Sequence, residues 1–451
     1  MKAIYPKTWN ELKSLLIQHT ATLYVGGKTS TVIPFEKMEN FLKENDLPEF
    51  DLACLSKIPT NFYLNKHKNL VIEGSENWKE VRTYLRSMNR DTMTSPTEEL
   101  ASVISGIATS ATGERCFGYG TLRDQVVRLD YLDFKGEKKT LSRKNLLSEH
   151  FLFREELSKS LLLNYQKDYE KYENFKNAPF PRLKYETDLM TGTEGQLGVI
   201  CSAEFKTTAA KNLTYIFISL PKWEEDFSAH LEIFHKVQNF RDKIFCCEFV
   251  DQNSLTYLKK EDRPFTGRDL LFLEIDVESF EEVYEKLLSQ LETVSEENIF
   301  EISESRCQML RKNVPRAVYE ENSKRGVVKK GTDVQVRPDK FRELLLYYRE
   351  LAGKGIPYNL FGHFGDAHLH FNFMPEPDKQ SLCQNYLEDL YEKVLVWQGS
   401  PFAEHGVGLL KRTFIKKFYG ENQTKLFSYL KDKMDPHNQF FPVGFMSEDV
   451  L

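Results

Sequence analysis

Short apolar segments alternate with amphipathic helical patterns along most of this chain, and this alternation is the feature that most restricts its fold. The second half shows it most clearly. Its strand candidates and helical patterns are Tyr215–Leu220, Trp223–Phe240, Ile244–Val250, Leu270–Val277, Phe280–Leu291, Phe341–Ala352 and Leu382–Trp397. Strands and helices of these lengths predict helices packed on an antiparallel or mixed sheet. We therefore predict an α+β protein.

The length of the chain, 451 residues, predicts more than one domain. The spacing of the patterns changes near residue 207, so we expect a first domain over residues 1–207 and a second over 208–451. Residues 143–185 are rich in Tyr, Lys and Glu, which predicts a helical, surface-exposed insertion or lid. The tail from about residue 430 carries two prolines and is expected to pack back on the first domain as an extended arm.

Charge and cysteine usage exclude several classes of protein. The net charge is -6 and the basic residues are scattered, which argues against a nucleic-acid partner. No apolar run has the length of a membrane span, and Met1–Gln18 predicts a Pro-initiated amphipathic helix rather than a signal peptide. The seven cysteines form no CxxC pair, which argues against a disulfide framework and an iron–sulfur cluster. We expect a cytoplasmic protein, peripheral to a membrane only through a partner.

Three short segments of the first half combine glycines with small hydroxyl side chains: Gly26–Ser30, Ser105–Ser110 and Thr191–Gly198. Glycines allow close backbone approach, and hydroxyl and N–H groups donate hydrogen bonds to phosphate oxygens. None of the segments has a GxxxxGK[ST] or GxGxxG pattern, so each alone is typical of an ordinary turn. Three within one predicted domain favour a nucleotide site.

Four of the ten histidines fall in two glycine-containing motifs near the C-terminus, FGHFGDAHLHFN and AEHGVG. Alternation in the first motif predicts a strand over His368–Phe373, with His368, His370 and Asn372 on one face. Two imidazoles and the carboxylate of Glu404 form a three-ligand set suited to Zn²⁺, with a position left open for substrate. The alternative is a group of partly exposed histidines bonded to Asp366 and the backbone.

The motifs GGKTS, SGIATSATGERCFGYGTLRDQVV and TGTEGQLGVICSAEFKT, followed by the two histidine motifs, resemble the vanillyl-alcohol oxidase superfamily of FAD enzymes. The resemblance runs in order through nearly the whole chain, and it is to the branch with the D-lactate, glycolate and D-2-hydroxyglutarate dehydrogenases. It implies a two-part PCMH-type FAD-binding domain followed by an α/β (ferredoxin-like) cap domain. The first loop has no histidine, so the resemblance implies non-covalent FAD.

The same resemblance implies the contacts to FAD. The residues that would hold the pyrophosphate are Gly26, Gly27, Lys28, Thr29 and Ser30. Those that would line the flavin or lie along the ADP are Gly106, Thr109, Gly113, Glu194, Gly195, Gly198 and Val199. Lys28 stands where the family usually has a third glycine, Val25 where it has an arginine and Ser110 where it has an asparagine. A lysine makes the first loop stiffer but adds a cation for phosphate.

At the C-terminal motifs the resemblance implies metal ligands at His363, His370 and Glu404, a substrate contact at Asn372 and a general base at His405. It also implies Arg311 and Lys330 as cations for the substrate carboxylate. Lys329 competes with Lys330 for that role, and a solvated basic turn is an open alternative for the pair. The family commonly has asparagine at the position of His368, so this additional histidine either modifies the metal site or faces solvent.

The function implied is FAD-dependent oxidation of a small D-2-hydroxy acid, of the D-lactate, glycolate or D-2-hydroxyglutarate type, to the 2-oxo acid. An electron-acceptor protein or a quinone is the expected partner, and both a homodimer and a subunit of a larger complex stay open. One alternative is a catalytically inactive or flavin-poor subunit. Another is an alkylglycerone-phosphate-synthase-like enzyme, although that enzyme typically has a run of histidines where this chain has Ala403-Glu404-His405.

Overall fold

The computed structural model describes residues 1–94, 96–167, 175–178 and 180–451. Within these residues the strands, in chain order, are β1 Ala3–Ile4, β2 Thr22–Val25, β3 Asp51–Cys54, β4 Asn61–Leu64, β5 Leu70–Glu73, β6 Arg90–Thr92, β7 Val126–Leu132, β8 Lys138–Ser142, β9 Val199–Phe205, β10 Thr207–Ala209, β11 Leu213–Leu220, β12 Ile244–Val250, β13 Asp269–Asp276, β14 Ile299–Ile302, β15 Lys330–Gly331, β16 Val334–Gln335, β17 Tyr358–His363 and β18 His368–Phe373.

The helices, in chain order, are α1 Trp9–Ile17, α2 Met38–Glu44, α3 Trp78–Ser87, α4 Val103–Ala108, α5 Cys116–Tyr119, α6 Leu122–Gln125, α7 Glu156–Gln166, α8 Ser228–Val237, α9 Gln252–Leu255, α10 Phe280–Lys286, α11 Glu304–Arg325, α12 Phe341–Ala352, α13 Gln380–Val396, α14 Phe414–Phe418 and α15 Glu421–Met434. None of these helices combines the length and apolarity needed to cross a bilayer. The helix predicted over Met1–Gln18 is shorter, because Thr8 rather than a proline caps it: the Thr8 hydroxyl accepts the N–H of Glu11 at 3.1 Å.

The first half of the chain contains two larger sheets. Strands β1, β3 and β2 form a parallel three-stranded sheet, and β4, β5, β9, β7 and β8 form a five-stranded antiparallel sheet in that order. The apolar face of the second sheet packs on α3 and α4, where Trp78 and Phe205 are fully buried. The first glycine segment follows β2 of the three-stranded sheet, the second lies in and after α4, and the third directly precedes β9 of the five-stranded sheet.

The second half is built on an eight-stranded sheet with the order β14-β11-β13-β12-β17-β18-β15, with β16 also paired to β18. Its strand pairs are antiparallel. Apolar residues of α8, α10, α12 and α13 cover one face, and α11 covers part of the other. The predicted α+β class is confirmed. The helix predicted from Trp223 begins later, at Ser228, after a turn in which the N–H groups of Glu225 and Asp226 both bind the carbonyl of Lys222.

Two segments singled out in the sequence make contacts with distant parts of the chain. Helix α7 lies in the predicted insertion, but Leu162 and Tyr165 are buried and α7 contacts α15. Residues 175–178 are also buried, so the prediction of a surface-exposed segment is wrong for these residues; the part over 168–174 and residue 179 lies outside the described residues. In the C-terminal tail, the N–H of Phe441 donates to the carbonyl of Thr22 at 2.9 Å.

Candidate active site

The hairpin of β17 and β18 forms the floor of the candidate site. Its register pairs His363 with His368 and Phe361 with His370. Leu369, Phe371 and Phe373 point into the helix-covered core. Since neighbouring side chains in a strand alternate, the histidines of β18 point to the opposite face, as the alternation predicts.

His363 and His370 both approach Glu404 through their Nε2 atoms, which lie 3.1 Å and 3.3 Å from its Oε2. The other ring nitrogens meet acceptors: Glu248 Oε1 lies 2.7 Å from Nδ1 of His363, and the Thr332 carbonyl lies 3.1 Å from Nδ1 of His370. An acceptor behind each imidazole is the usual arrangement around a bound metal, because it fixes the ring and its tautomer. The donor set therefore fits a divalent ion such as Zn²⁺.

Without an ion, the two carboxylates beside His363 stabilise its imidazolium form. Burial lowers the pKa of His363, but Glu248 and Glu404 outweigh that effect and raise the pKa to about 10. A metal at this place would displace the Nε2 proton, since an imidazole binds metals in its neutral form. Glu248 had no motif to mark it; it lies on β12, two strand positions before the end of an apolar run.

Asp333 holds the loop that carries Glu404 and His405. Its carboxylate accepts the backbone N–H groups of both residues, each at 3.0 Å, and pairs with Nζ of Lys411 at 2.6 Å. Burial alone would raise the pKa of Asp333, but Lys411, His405 and His368 together outweigh it and hold the pKa far below its usual range. Asp333 thus positions two proposed site residues. It also groups with His370 and His405, but its oxygens are already engaged, which makes it a poor metal ligand.

His405 stacks on His370, with ring centroids 5.1 Å apart and an angle of 16° between the planes. Its Nδ1 lies 3.9 Å from Asp333, and 33% of its side chain is exposed. Burial lowers the pKa of His405 to about 4. The ring is therefore neutral near pH 7, and it lies beside the donor set with an exposed edge, as a general base requires.

The four groups proposed for the substrate are not equally available. Arg311 is buried between Glu274 and Glu114, with Glu114 Oε2 2.7 Å from its Nη2. Lys330 pairs in the strand register with Phe373, which packs on Tyr386 of α13. Because directly opposed residues share a face, the side chain of Lys330 is directed to the helix layer, away from the histidines.

Lys329 lies on the site face instead. A Cβ added to Gly331 would lie 3.6 Å from Cε of Lys329 and in contact with Oδ1 of Asn372. Surrounding protein displaces water from Lys329 and so lowers its pKa. No carboxylate among the described residues contributes to that pKa. The residue is nevertheless exposed. The Lys329 ammonium is therefore accessible on the same side of the sheet as Asn372. Nδ2 of Asn372 donates to Asn359 at 2.8 Å, while its buried Oδ1 has no hydrogen-bond partner among the described residues.

All three glycine segments meet at a largely apolar cleft. It is lined by Gly26, Gly195, Gly198 and Val199 together with Tyr24, Val25, Ser75, Ile104, Ser105 and Ile200. A Cβ on Gly26 would lie 2.5 Å from Oγ of Ser105 and 2.6 Å from Oγ of Ser75, so only glycine fits there. Hydroxyls around a bare backbone, with apolar walls, suit a phosphate and the rings of a nucleotide. Ser75, outside the glycine motifs, had no signal in the sequence.

Other predicted cofactor residues lie outside that cleft. Gly27 and Thr29 are exposed, and the loop continues through Lys28 and Ser30. Lys28 has a φ of 56°, a left-handed conformation that glycine adopts more easily. The rest are within or beside α4: Gly106 would place a Cβ 3.5 Å from Nε1 of Trp78, Thr109 donates to Ser105 O, and Gly113 has a φ of 141°.

Glu194 is directed away from the glycine cleft. Its carboxylate accepts the N–H groups of Val407 and Gly408, at 2.6 Å and 2.9 Å, in the AEHGVG loop. Burial raises the pKa of Glu194 to about 7. The third glycine segment therefore contacts both the cleft and the loop of the candidate base.

Residues 214–443, about half of the chain, match the family model of the C-terminal domain of FAD linked oxidases. The chain belongs to this family. It is therefore an FAD-dependent oxidoreductase, and the predicted family, enzyme class and FAD cofactor are confirmed. The glycine cleft lies in the half of the chain that precedes the matched residues.

This FAD-linked oxidase is similar to named relatives at low identity. It is 22% identical to the mitochondrial D-lactate dehydrogenase (cytochrome) of Kluyveromyces lactis, over 96% of this chain and 71% of that protein. It is 26% identical to the D-2-hydroxyglutarate dehydrogenase of Stutzerimonas stutzeri, over 76% of this chain and 69% of that protein. A solved alkyldihydroxyacetonephosphate synthase matches 98% of this chain and 76% of its own, with a TM-score of 0.65 and 14% identity, which shows the shared fold.

Proposed function

We propose that the chain oxidises a small D-2-hydroxy acid to the 2-oxo acid, with FAD held by residues 1–207 and the substrate by residues 208–451. The observation that carries the proposal is the neutral imidazole of His405 stacked beside the His363, His370 and Glu404 donor set. Relatives named as D-lactate and D-2-hydroxyglutarate dehydrogenases support the substrate class.

The chemistry divides between the bound groups and the chain's side chains. FAD, when bound, supplies an acceptor for the hydride from C2 of the substrate. A divalent ion held by His363, His370 and Glu404, with Zn²⁺ favoured by the ligands, supplies a charge that lowers the pKa of the 2-hydroxyl. His405 keeps its Nδ1 toward Asp333, so that its Nε2 accepts the hydroxyl proton. Two electrons and one proton leave C2 together as the hydride, and the second proton stays on His405.

Substrate orientation falls to groups on the face of β18. The Oδ1 of Asn372, which has no hydrogen-bond partner among the described residues, accepts a hydrogen bond from a hydroxyl, and the ammonium of Lys329 pairs with a carboxylate. Lys329 takes the role that the sequence comparison implied for Lys330. Arg311 already pairs with two carboxylates, so its contribution to substrate binding is smaller than the resemblance implies. Re-oxidation requires an electron-acceptor protein or a quinone.

An anaerobic visible spectrum of the purified, FAD-reconstituted protein tests the proposal. D-Lactate, glycolate and D-2-hydroxyglutarate are added in turn, with L-lactate as the stereochemical control. We expect the flavin band to bleach with at least one of the three and not with L-lactate. A flavin band that no 2-hydroxy acid bleaches would contradict the proposed reaction. No bound flavin after reconstitution would favour the inactive-subunit alternative.

A further inference from the structure

His368, the additional histidine of the C-terminal motif, is fully buried rather than solvent-facing. Nζ of Lys176 lies 3.4 Å from its Nδ1, and Oδ1 of Asp333 lies 3.3 Å from its Nε2. An ammonium is only a donor, so the Nδ1 lone pair of His368 is the acceptor in this contact. A neutral imidazole has one such lone pair, and Lys176 occupies it.

Lys176 is held firmly in this place. Its side chain is 3% exposed and Nζ lies 3.3 Å from Oδ2 of Asp366. Its backbone N–H donates to Oε1 of Gln335 at 2.9 Å, and Nε2 of Gln335 in turn donates to the carbonyl of Asp366 at 2.9 Å. Next to it, Nδ2 of Asn177 donates to the carbonyl of Ala403 at 3.1 Å. The cation therefore reaches the histidine cluster from a segment far away in the chain.

Without that cation, His368 would be close enough to the other three ligands to bind the same metal ion. One ligand atom each from His363, His368, His370 and Glu404 lie within 4.8 Å of one another. Four protein ligands form a closed tetrahedral site, which is typical of structural zinc, whereas catalytic zinc sites keep three protein ligands and an open position. The occupied lone pair of His368 is what separates these two cases here.

We propose that Lys176 is a positioning residue that keeps His368 out of the metal site and so leaves a coordination position open for substrate. The inference rests on the proposed function, and it adds a reason for the open position. Replacing Lys176 with methionine removes the donor but keeps the length of the side chain. Asp366 then still pairs with Arg241 at 3.2 Å, so the change leaves no isolated carboxylate.

Titration of Co²⁺ into the metal-free, FAD-loaded protein tests the inference, with the visible d–d absorption as the readout and Zn²⁺ competition for affinity. Four-coordinate, tetrahedral Co²⁺ absorbs more strongly than Co²⁺ that has taken up waters in open positions to reach five or six ligands. We expect Lys176→Met to strengthen this band and to bind metal at least about tenfold more tightly, the lower end of the effect of residues behind a metal ligand.

The double variant Lys176→Met/His368→Asn distinguishes metal binding by His368 from the effect of removing a positive charge. We expect it to return to the wild-type spectrum and affinity, and His368→Asn alone to leave both nearly unchanged. An equal gain in the single and double variants would overturn the proposal, because the gain would then come from removing a positive charge near a cation. No gain in Lys176→Met, with a wild-type thermal unfolding curve, would also overturn it.

If Lys176→Met does not fold, Lys176→Leu serves in the same titration with the same expectations, since leucine also carries no hydrogen-bond donor. The metal readout is independent of flavin bleaching. A wild-type protein that bleaches with a hydroxy acid but binds no Co²⁺ therefore overturns this inference and leaves the proposed reaction supported.

Discussion

The carboxylate of Glu194 accepts the backbone N–H of Val407 at 2.6 Å, although 213 residues separate the two in the chain. A second hydrogen bond, from the N–H of Gly408 at 2.9 Å, fixes the same turn. The turn follows directly after Glu404 and His405. A residue of the third glycine segment therefore helps to place the proposed base, which ties the half of the chain that holds the glycine cleft to the half that holds the histidines.

Glu194 predicts a pH dependence of stability. Its pKa of about 7 lies above the ordinary value of 4.5 because of burial, so the folded protein binds this proton more tightly than the unfolded chain does. That contribution is fully present below about pH 4.5 and is lost as the pH rises through about 7. Glutamine at position 194 cannot lose a proton. Between pH 4.5 and 8 we therefore expect the free energy of unfolding of Glu194→Gln to rise by about 3 kcal/mol relative to that of the wild type. Urea unfolding at a series of pH values measures this, and parallel curves for the two proteins would contradict it.

Asp333→Ala should destabilise the protein strongly. The change leaves the Lys411 ammonium and the N–H groups of Glu404 and His405 without their acceptor. Removing one partner of a buried ion pair costs about 3–5 kcal/mol. Urea unfolding measures the loss. The matched control is Asp339→Ala, whose exposed pair with Arg337 should be worth less than about 1 kcal/mol. Similar losses in both variants would contradict the role given to Asp333.

Lys329→Ala and Lys330→Ala should differ in their effect on substrate binding. The side chain of Lys329 lies beside Asn372, whereas that of Lys330 is directed to α13. A hydrogen bond to a charged group contributes about 1.5–3 kcal/mol, so Lys329→Ala should raise KM for the hydroxy acid by about 10- to 100-fold. Lys330→Ala should leave KM close to the wild-type value. The reverse order would support the sequence-based choice of Lys330.

His405→Ala should remove turnover without removing the cofactor or the metal. His405 stacks on the donor set but contributes no ligand to it, and a general base contributes about 10²- to 10⁴-fold to a rate. Stopped-flow reduction of the flavin gives the rate, and the visible spectrum shows whether FAD is retained. A rate within tenfold of wild type would exclude His405 as the base.

His370→Ala should remove the metal and the activity together. Nε2 of His370 lies 3.3 Å from Glu404, where the ion would be shared, and its loss leaves two of the three proposed ligands. Metal analysis of the purified variant and the same flavin-reduction assay check both effects. Retained metal with full activity would contradict the ligand assignment.

The sequence indicated those features that depend on local periodicity. The alternation from His368 to Phe373 predicted both the bounds of β18 and its two faces, because side chains in a strand alternate whatever lies beyond them. The extents of β12 and α12 were likewise predicted, since each contains regularly spaced apolar residues that must be buried against another element. The start of α8 was not, because the position of Trp223 depends on a contact with Asp269 on β13, which is distant in the chain.

By itself, the sequence determined the fold class, the family and the set of histidines from which a metal site can be built. Only the tertiary structure decided which other side chains lie around these histidines. The register of β15 against β18 determines whether the side chain of Lys329 or that of Lys330 lies on the face of the histidines. The partners Glu248, Asp333 and Lys176 reach the histidines across 115, 72 and 192 residues. Contacts of this kind arise when separate elements pack together. A local pattern of residue types does not predict which distant elements will pack against each other.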